Sequence, residues 1–137
     1  MKTILVGYDD TEESKRALLR AAEIAKALDS KVHVTSVTPL LVGTPRSMGP
    51  YDPTEPPGEH AAELEHAKTL LGEQGITPTL EQVHGDPAEM IVEVADNVGA
   101  DLIVLGSHHR SLIDHALGLS VSGAVARKAH SDVLIVH

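Results

Sequence analysis

Leu102-Ile103-Val104-Leu105-Gly106-Ser107-His108-His109 reads as a strand that runs straight into a turn. Four consecutive apolar residues, without polar alternation, fit a strand covered on both faces, and the glycine after them marks its end. Farther on, Gly118-Leu119-Ser120 opens a helix-patterned segment, and Val133-Leu134-Ile135-Val136 is a second apolar strand. A strand feeding a glycine turn, with a Gly/Ser pair at a helix start, can form a concave nest of backbone N–H groups. Together with the positive end of a helix dipole, such a nest suits a phosphate.

The pattern repeats along the chain. Apolar runs of strand length lie at 3–8, 32–37, 79–84, 102–105 and 133–136. Helix-patterned segments separate them. Over 11–28 the stripe is Ala17, Leu18, Ala21, Ile24, Ala25 and Leu28, with Thr11 and Ser14 as starters and Asp29-Ser30 as the stop. Over 59–73 it is Ala61, Leu64, Ala67, Leu70 and Leu71, with Gly72 and Gly75 as stops. Asp86-Pro87 places an N-cap before a proline at the first helical position, and Gly99 closes that helix after Met90, Ile91, Val94, Ala95 and Val98. Ser120 caps the last helix, which carries Val121, Ala124, Val125 and Lys128 along one face. Strands alternating with helices predict an α/β domain over 1–137, with a parallel sheet covered by helices on both faces. In such sheets ligands bind beyond the C-terminal strand ends, where the winding reverses. Residues 39–58 interrupt the rhythm with six of the eight prolines and three glycines. This stretch reads as a flexible loop on the C-terminal rim, either a functional lid or disorder.

Composition narrows the function classes. With 137 residues, no Phe, no Trp and two Tyr, the core must be built from Val, Ile, Leu and Ala. Without cysteine there is no disulfide, thiolate chemistry or Cys-ligated zinc. A net charge of −9 opposes a nucleic-acid partner, since phosphates are repelled. No apolar run approaches the roughly 20 residues needed to span a bilayer. The chain enters a strand at once without signal-peptide architecture, so no membrane association and a cytoplasmic location are expected.

Asp9 follows the first strand within Gly7-Tyr8-Asp9-Asp10-Thr11. Its carboxylate suits a ribose hydroxyl or a base amine, while the plainer reading is that Asp9, Asp10 or Thr11 caps the next helix. Gly7-Tyr8-Asp9, Val37 ending the second strand, Gly85-Asp86-Pro87-Ala88, and the segment from Gly106 to Val121 together resemble the universal stress protein family. The resemblance covers the whole chain. It implies a Rossmann-like five-stranded parallel sheet of order 3-2-1-4-5, of the adenine nucleotide alpha hydrolase type, usually in a homodimer. Family members divide into those that bind ATP or related adenine nucleotides and those that do not.

In the nucleotide-binding branch the motif is Gly-x2-Gly-x9-Gly-Ser/Thr. Gly106 and Ser120 match its first and last positions; His109 and Leu119 occupy the two middle glycine positions, with Gly118 one place early. Glycine allows the backbone to approach a phosphate closely, and both replacements add bulk there. His109 and Arg110 are also able to donate to a phosphate, or the turn is simply solvated. The adenosine half matches better, through Asp9, Val37, Leu105 and Gly106. The resemblance thus implies a ligand set of Gly7, Asp9, Val37, Leu105, Gly106, His109, Leu119, Ser120 and Val121, holding ATP or AMP.

Other chemistries fit poorly. His108, His109 and His115 cluster in sequence but lack zincin spacing and any cysteine, so no metal is expected. Gly118-Leu119-Ser120-Val121-Ser122 lacks the final glycine of a nucleophile elbow and the strand directly before it. Glu63, Glu65 and Glu89 read as solvated helix faces. The expectation is a regulatory nucleotide-binding module, not an enzyme, acting on an unknown protein partner. A nucleotide-independent dimer and a weak ATPase remain as alternatives. The last strand lies on the sheet edge in the 3-2-1-4-5 order, where its apolar run suits pairing with a second copy.

Overall fold

The computed structural model describes residues 1–38, 59–107 and 120–137. The element order is β1 (Thr3–Gly7), α1 (Glu12–Leu28), β2 (Lys31–Thr38), α2 (Glu59–Glu73), β3 (Thr79–His84), α3 (Pro87–Val98), β4 (Leu102–Gly106), α4 (Val121–Lys128) and β5 (Asp132–Val136). The strands form one sheet in the order β3-β2-β1-β4-β5, and every pairing is parallel. The winding therefore reverses between β1 and β4, both of which neighbour each other at the centre.

Alternation along the strands builds two apolar layers. Ile4, Val6, Val34 and Val104 pack against α1 and α2 through Ala17, Leu18, Ala21, Leu64, Ala67 and Leu71. Leu5, Ile103 and Leu105 face α3 and α4, meeting Ile91, Val94, Ala95 and Val125. Small alanines on α1 bring that helix close to the sheet, which is how a core without Phe or Trp still closes. The edge strand β3 departs from the apolar pattern: Glu81 faces His33 of β2 at 2.9 Å, and Gln82 is exposed.

Helix ends follow local chemistry. Thr11, Asp86 and Ser120 are N-caps whose side chains accept from Ser14, Glu89 and Gly123 N–H groups. Three helices end in the same left-handed turn. The N–H groups of Ser30, Ile76 and Ala100 return to the carbonyls of Ala25, Leu71 and Ala95, around Asp29, Gly75 and Gly99 at positive φ. Gly72, read from sequence as a stop, lies inside α2 instead. Among the described residues, leaving aside its chain neighbours and its own helix's backbone, nothing lies within 4 Å of the position its Cβ would take, so the glycine answers no packing need there. The stop falls at Gly75, whose φ is +78°.

At the opposite, N-terminal rim, Asp101 Oδ2 accepts from the backbone N–H groups of Lys2 and Thr3 at 2.7 and 3.1 Å. These bonds hold the Asp101 carboxyl below its ordinary value. Among the described residues no helix is long and apolar enough to cross a membrane.

Candidate functional site

Because the sheet is parallel, every βα turn and every helix start lies on its C-terminal rim. The central part of that rim carries the β1–α1 turn, the exit of β4 and the start of α4. Gly7 ends β1 with Asp9 two residues beyond it, Val37 is next to last in β2, Leu105 and Gly106 end β4, and Ser120 and Val121 open α4. His109 and Leu119 lie outside the described residues, as do residues 39–58.

The β1–α1 turn is a closed hydrogen-bonded unit. Asp9 Oδ1 accepts from Thr11 N at 3.2 Å and from Thr11 Oγ1 at 2.6 Å. Thr11 Oγ1 in turn accepts from Ser14 N at 3.2 Å, capping α1. The buried Ser14 hydroxyl donates to Thr11 O at 3.0 Å and accepts from Asp9 N at 3.4 Å. Asp9 therefore supports the cap instead of supplying it. Its carboxylate is held in one orientation, half-buried, at the mouth of the reversal.

Asp10 is one of two described non-glycine residues at positive φ, +64°. Its carboxylate is held from both sides: Tyr8 Oη donates to Oδ1 at 2.7 Å, and His66 Nδ1 lies 2.9 Å from Oδ2. Partial burial pushes the Asp10 carboxyl up, but donation from Tyr8 and His66 outweighs it and leaves the group below its ordinary value. Burial, the bond to Asp10 and the negative charges of Asp10, Asp9 and Glu63 push the Tyr8 hydroxyl far up, so it stays protonated and donates. From sequence Tyr8 was only part of the Gly7-Tyr8-Asp9 motif and Asp10 a candidate helix cap, while His66 was not singled out, because the contact that joins His66 to Asp10 spans 56 residues. Sequence reading also placed Glu63 on a solvated face; Glu63 Oε2 in fact accepts from the buried Ser36 hydroxyl at 3.0 Å, which brings α2 down onto β2.

The glycines of the rim have protein neighbours. A Cβ on Gly106 would lie 2.5 Å from the Glu13 carbonyl carbon and 2.7 Å from Ser14 N, both backbone atoms of α1. Gly106 is thus required for α1 to cross the end of β4. A Cβ on Gly7 would meet Leu105 Cδ2 at 2.6 Å and Ile91 Cδ1 at 3.2 Å. Val37 and Val121 are half-buried in the α3/α4 apolar layer that also holds Leu105. The Ser107 N–H donates to Val136 O at 2.8 Å, extending the β4–β5 ladder. The Ser120 hydroxyl accepts from Gly123 N at 2.9 Å and lies 3.0 Å from Ser122 Oγ. These are the bonds of a helix cap, and the Ser107 N–H is not a donor of the expected nest.

A carboxylate fixed at a topological reversal can take a hydroxyl or amine donor from a small ligand. Among the described residues no group of three or more His, Asp or Glu is arranged to hold a metal.

Comparison with known proteins agrees with this architecture. A profile described as the universal stress protein family matches residues 1–137. The stress response protein NhaX of Bacillus subtilis is 32% identical, with 97% of this chain and 96% of that one aligned. The universal stress protein MJ0531 of Methanocaldococcus jannaschii is 34% identical over 98% of this chain and 81% of its own. A universal stress protein solved in complex with cAMP superposes with a TM-score of 0.79 at 34% identity, over 99% of this chain and 96% of its own. One from Archaeoglobus fulgidus in complex with dAMP shares the fold at 22% identity and a TM-score of 0.70, over 100% of this chain and 98% of its own. The chain belongs to the universal stress protein family.

Proposed function

We propose that the protein is a regulatory module that binds an adenine nucleotide, ATP or AMP, at the C-terminal ends of β1 and β4. The observation that carries this reading is the relative solved with cAMP, at 34% identity and matched over nearly the full length of both chains. The fixed Asp9 carboxylate supports it, since it suits a ribose hydroxyl or an adenine amine. In this reading Gly7, Val37 and Leu105 shape the adenosine side. Gly106, Ser120 and Val121 border the phosphates, with His109 and Leu119 altering the phosphate contacts. The module acts without turnover, by changing the surface it presents to a protein partner. Titration with fluorescent ATP and AMP analogues, with native mass spectrometry for a co-purified nucleotide, tests the site. Absence of binding at millimolar nucleotide removes the reading, and steady phosphate release would make the protein an ATPase.

A second reading is favoured by the glycine environments. Gly106 is explained by α1, Ser107 N–H by β5 and Ser120 by the cap of α4, so all three are consistent with a nucleotide-independent dimer. In both readings the assembly is a homodimer through β5, which among the described elements pairs only with β4. An apolar open edge of this kind is relieved by pairing about a two-fold axis. Sedimentation equilibrium of the wild type and Ile135→Lys checks it: a monomeric wild type, or a variant that dimerises equally well, removes this interface.

A further inference from the structure

We propose that His66 of α2 is a positioning residue for the rim site: by holding Asp10 in its left-handed conformation it fixes the direction of the Asp9 carboxylate. The regulation inferred rests on the nucleotide reading above, whereas the mechanical link does not.

Asp9 is oriented by its bonds to Thr11 N and Oγ1, and these span Asp10. Residue 10 must therefore turn the chain sharply, and its φ of +64° is how it does so. A non-glycine residue in that region is strained and persists where its surroundings hold it. Two groups hold Asp10. Tyr8 is 3% exposed and anchored in the α1/α2 layer, so it cannot follow a change of residue 10. His66 comes from another element and its side chain is 61% exposed, against 29% for Asp10. It is the outer half of the clasp. Because the Asp10 carboxylate only accepts, the imidazole donates through a protonated Nδ1, whether the ring is neutral or cationic. Lys15 of α1 also bears on Asp10, and Asp9, Glu63 and Asp10 surround Tyr8 with negative charge. His66 thus answers a local excess of carboxylates at the mouth of the site. It belongs to α2, and any partner that engages that helix face acts on the orientation of Asp9.

The test uses nucleotide-free full-length protein first. Exchange of the Thr11 N–H, read by NMR, reports its bond to Asp9. His66→Leu should speed this exchange by about two- to fivefold, the scale of an exposed charged pair. His66→Asn, which keeps a short donor, should restore it. Asp10→Gly in the His66→Leu background should restore it too, because glycine adopts φ near +64° without strain. Fluorescent-nucleotide affinity should weaken and recover in the same order across these variants. Unchanged Thr11 exchange in His66→Leu overturns the proposal, as does failure of both Asn and Asp10→Gly to restore it. If exchange responds as expected but the wild type binds no adenine nucleotide, the positioning link stands and the nucleotide reading falls.

Discussion

The β1–α1 turn and the β4 exit lie side by side on one rim, and both begin with a glycine, yet they are built differently. At the first, polar groups satisfy one another: Asp9, Thr11 and Ser14 close a ring of bonds, and Asp10 is clasped by Tyr8 and His66. At Gly7, which precedes it, the atoms nearest to an added Cβ belong to the Leu105 and Ile91 side chains. At the second, backbone meets backbone, since Gly106 lies directly beneath Glu13 and Ser14 of α1. One turn is a preorganised group of side chains and the other is a steric seat. A glycine after a strand therefore carries no functional meaning until its neighbours are known.

The contrast is broken most forcefully at the seat. Gly106→Ala sets a methyl against backbone that cannot rotate away, so destabilisation should reach the upper end of overpacking costs, about 3 kcal/mol. Urea unfolding should show it as a lower midpoint with unchanged slope. Asp9→Ala tests the other region through the ligand: loss of a charged acceptor, about 1.5–3 kcal/mol, should weaken adenine nucleotides by roughly ten- to a hundredfold in calorimetry. Equal affinity in both proteins would take Asp9 out of the site. Gly7→Ala sharpens the comparison, because Leu105 and Ile91 have rotamers to yield; its cost should be about 1 kcal/mol, well short of that at Gly106. If the two alanines destabilise equally, the distinction between seat and turn is lost.

The smallest effect lies at the far rim and serves as a control. The Asp101 carboxyl is held below its ordinary value of 3.8 by the Lys2 and Thr3 N–H groups. A depressed folded value means that its stabilisation is complete above the ordinary value and is lost as pH falls through the folded one. Asp101→Asn should therefore lower the melting temperature slightly at neutral pH and flatten its decline below about pH 4. Nucleotide affinity should not move.

The chain's order of elements was legible because each strand and cap depends on neighbours in sequence. Leu102 to Leu105 is apolar on both faces, and Asp86-Pro87, Gly99 and Ser120 mark helix ends by local bonds. Alternation is silent about strand order, which the family resemblance implied as 3-2-1-4-5 and the sheet displays. The side-chain contacts of the candidate site were less legible. Asp9 stood out as a carboxylate after a strand, but His66 meets Asp10, and Glu63 meets Ser36, only when α2 folds onto the sheet. Gly106 suggested a phosphate, whereas its immediate constraint is a helix more than 90 residues earlier, as the 2.5 Å contact with Glu13 shows. Sequence spacing carries no trace of such a contact.

β1 occupies the middle of the sheet, between β2 and β4. During synthesis it emerges before the other strands, yet one of its two ladders must wait until residues beyond Leu102 have been made. Until then one edge of a highly apolar strand, and the pair of amides that Asp101 later receives, stay unmatched. The nascent chain is thereby committed to late closure: a product cut short before β4 presents an open strand edge for chaperone capture or self-association. For a member of the universal stress protein family, the central strand of the sheet is thus left half-paired until β4 has been made.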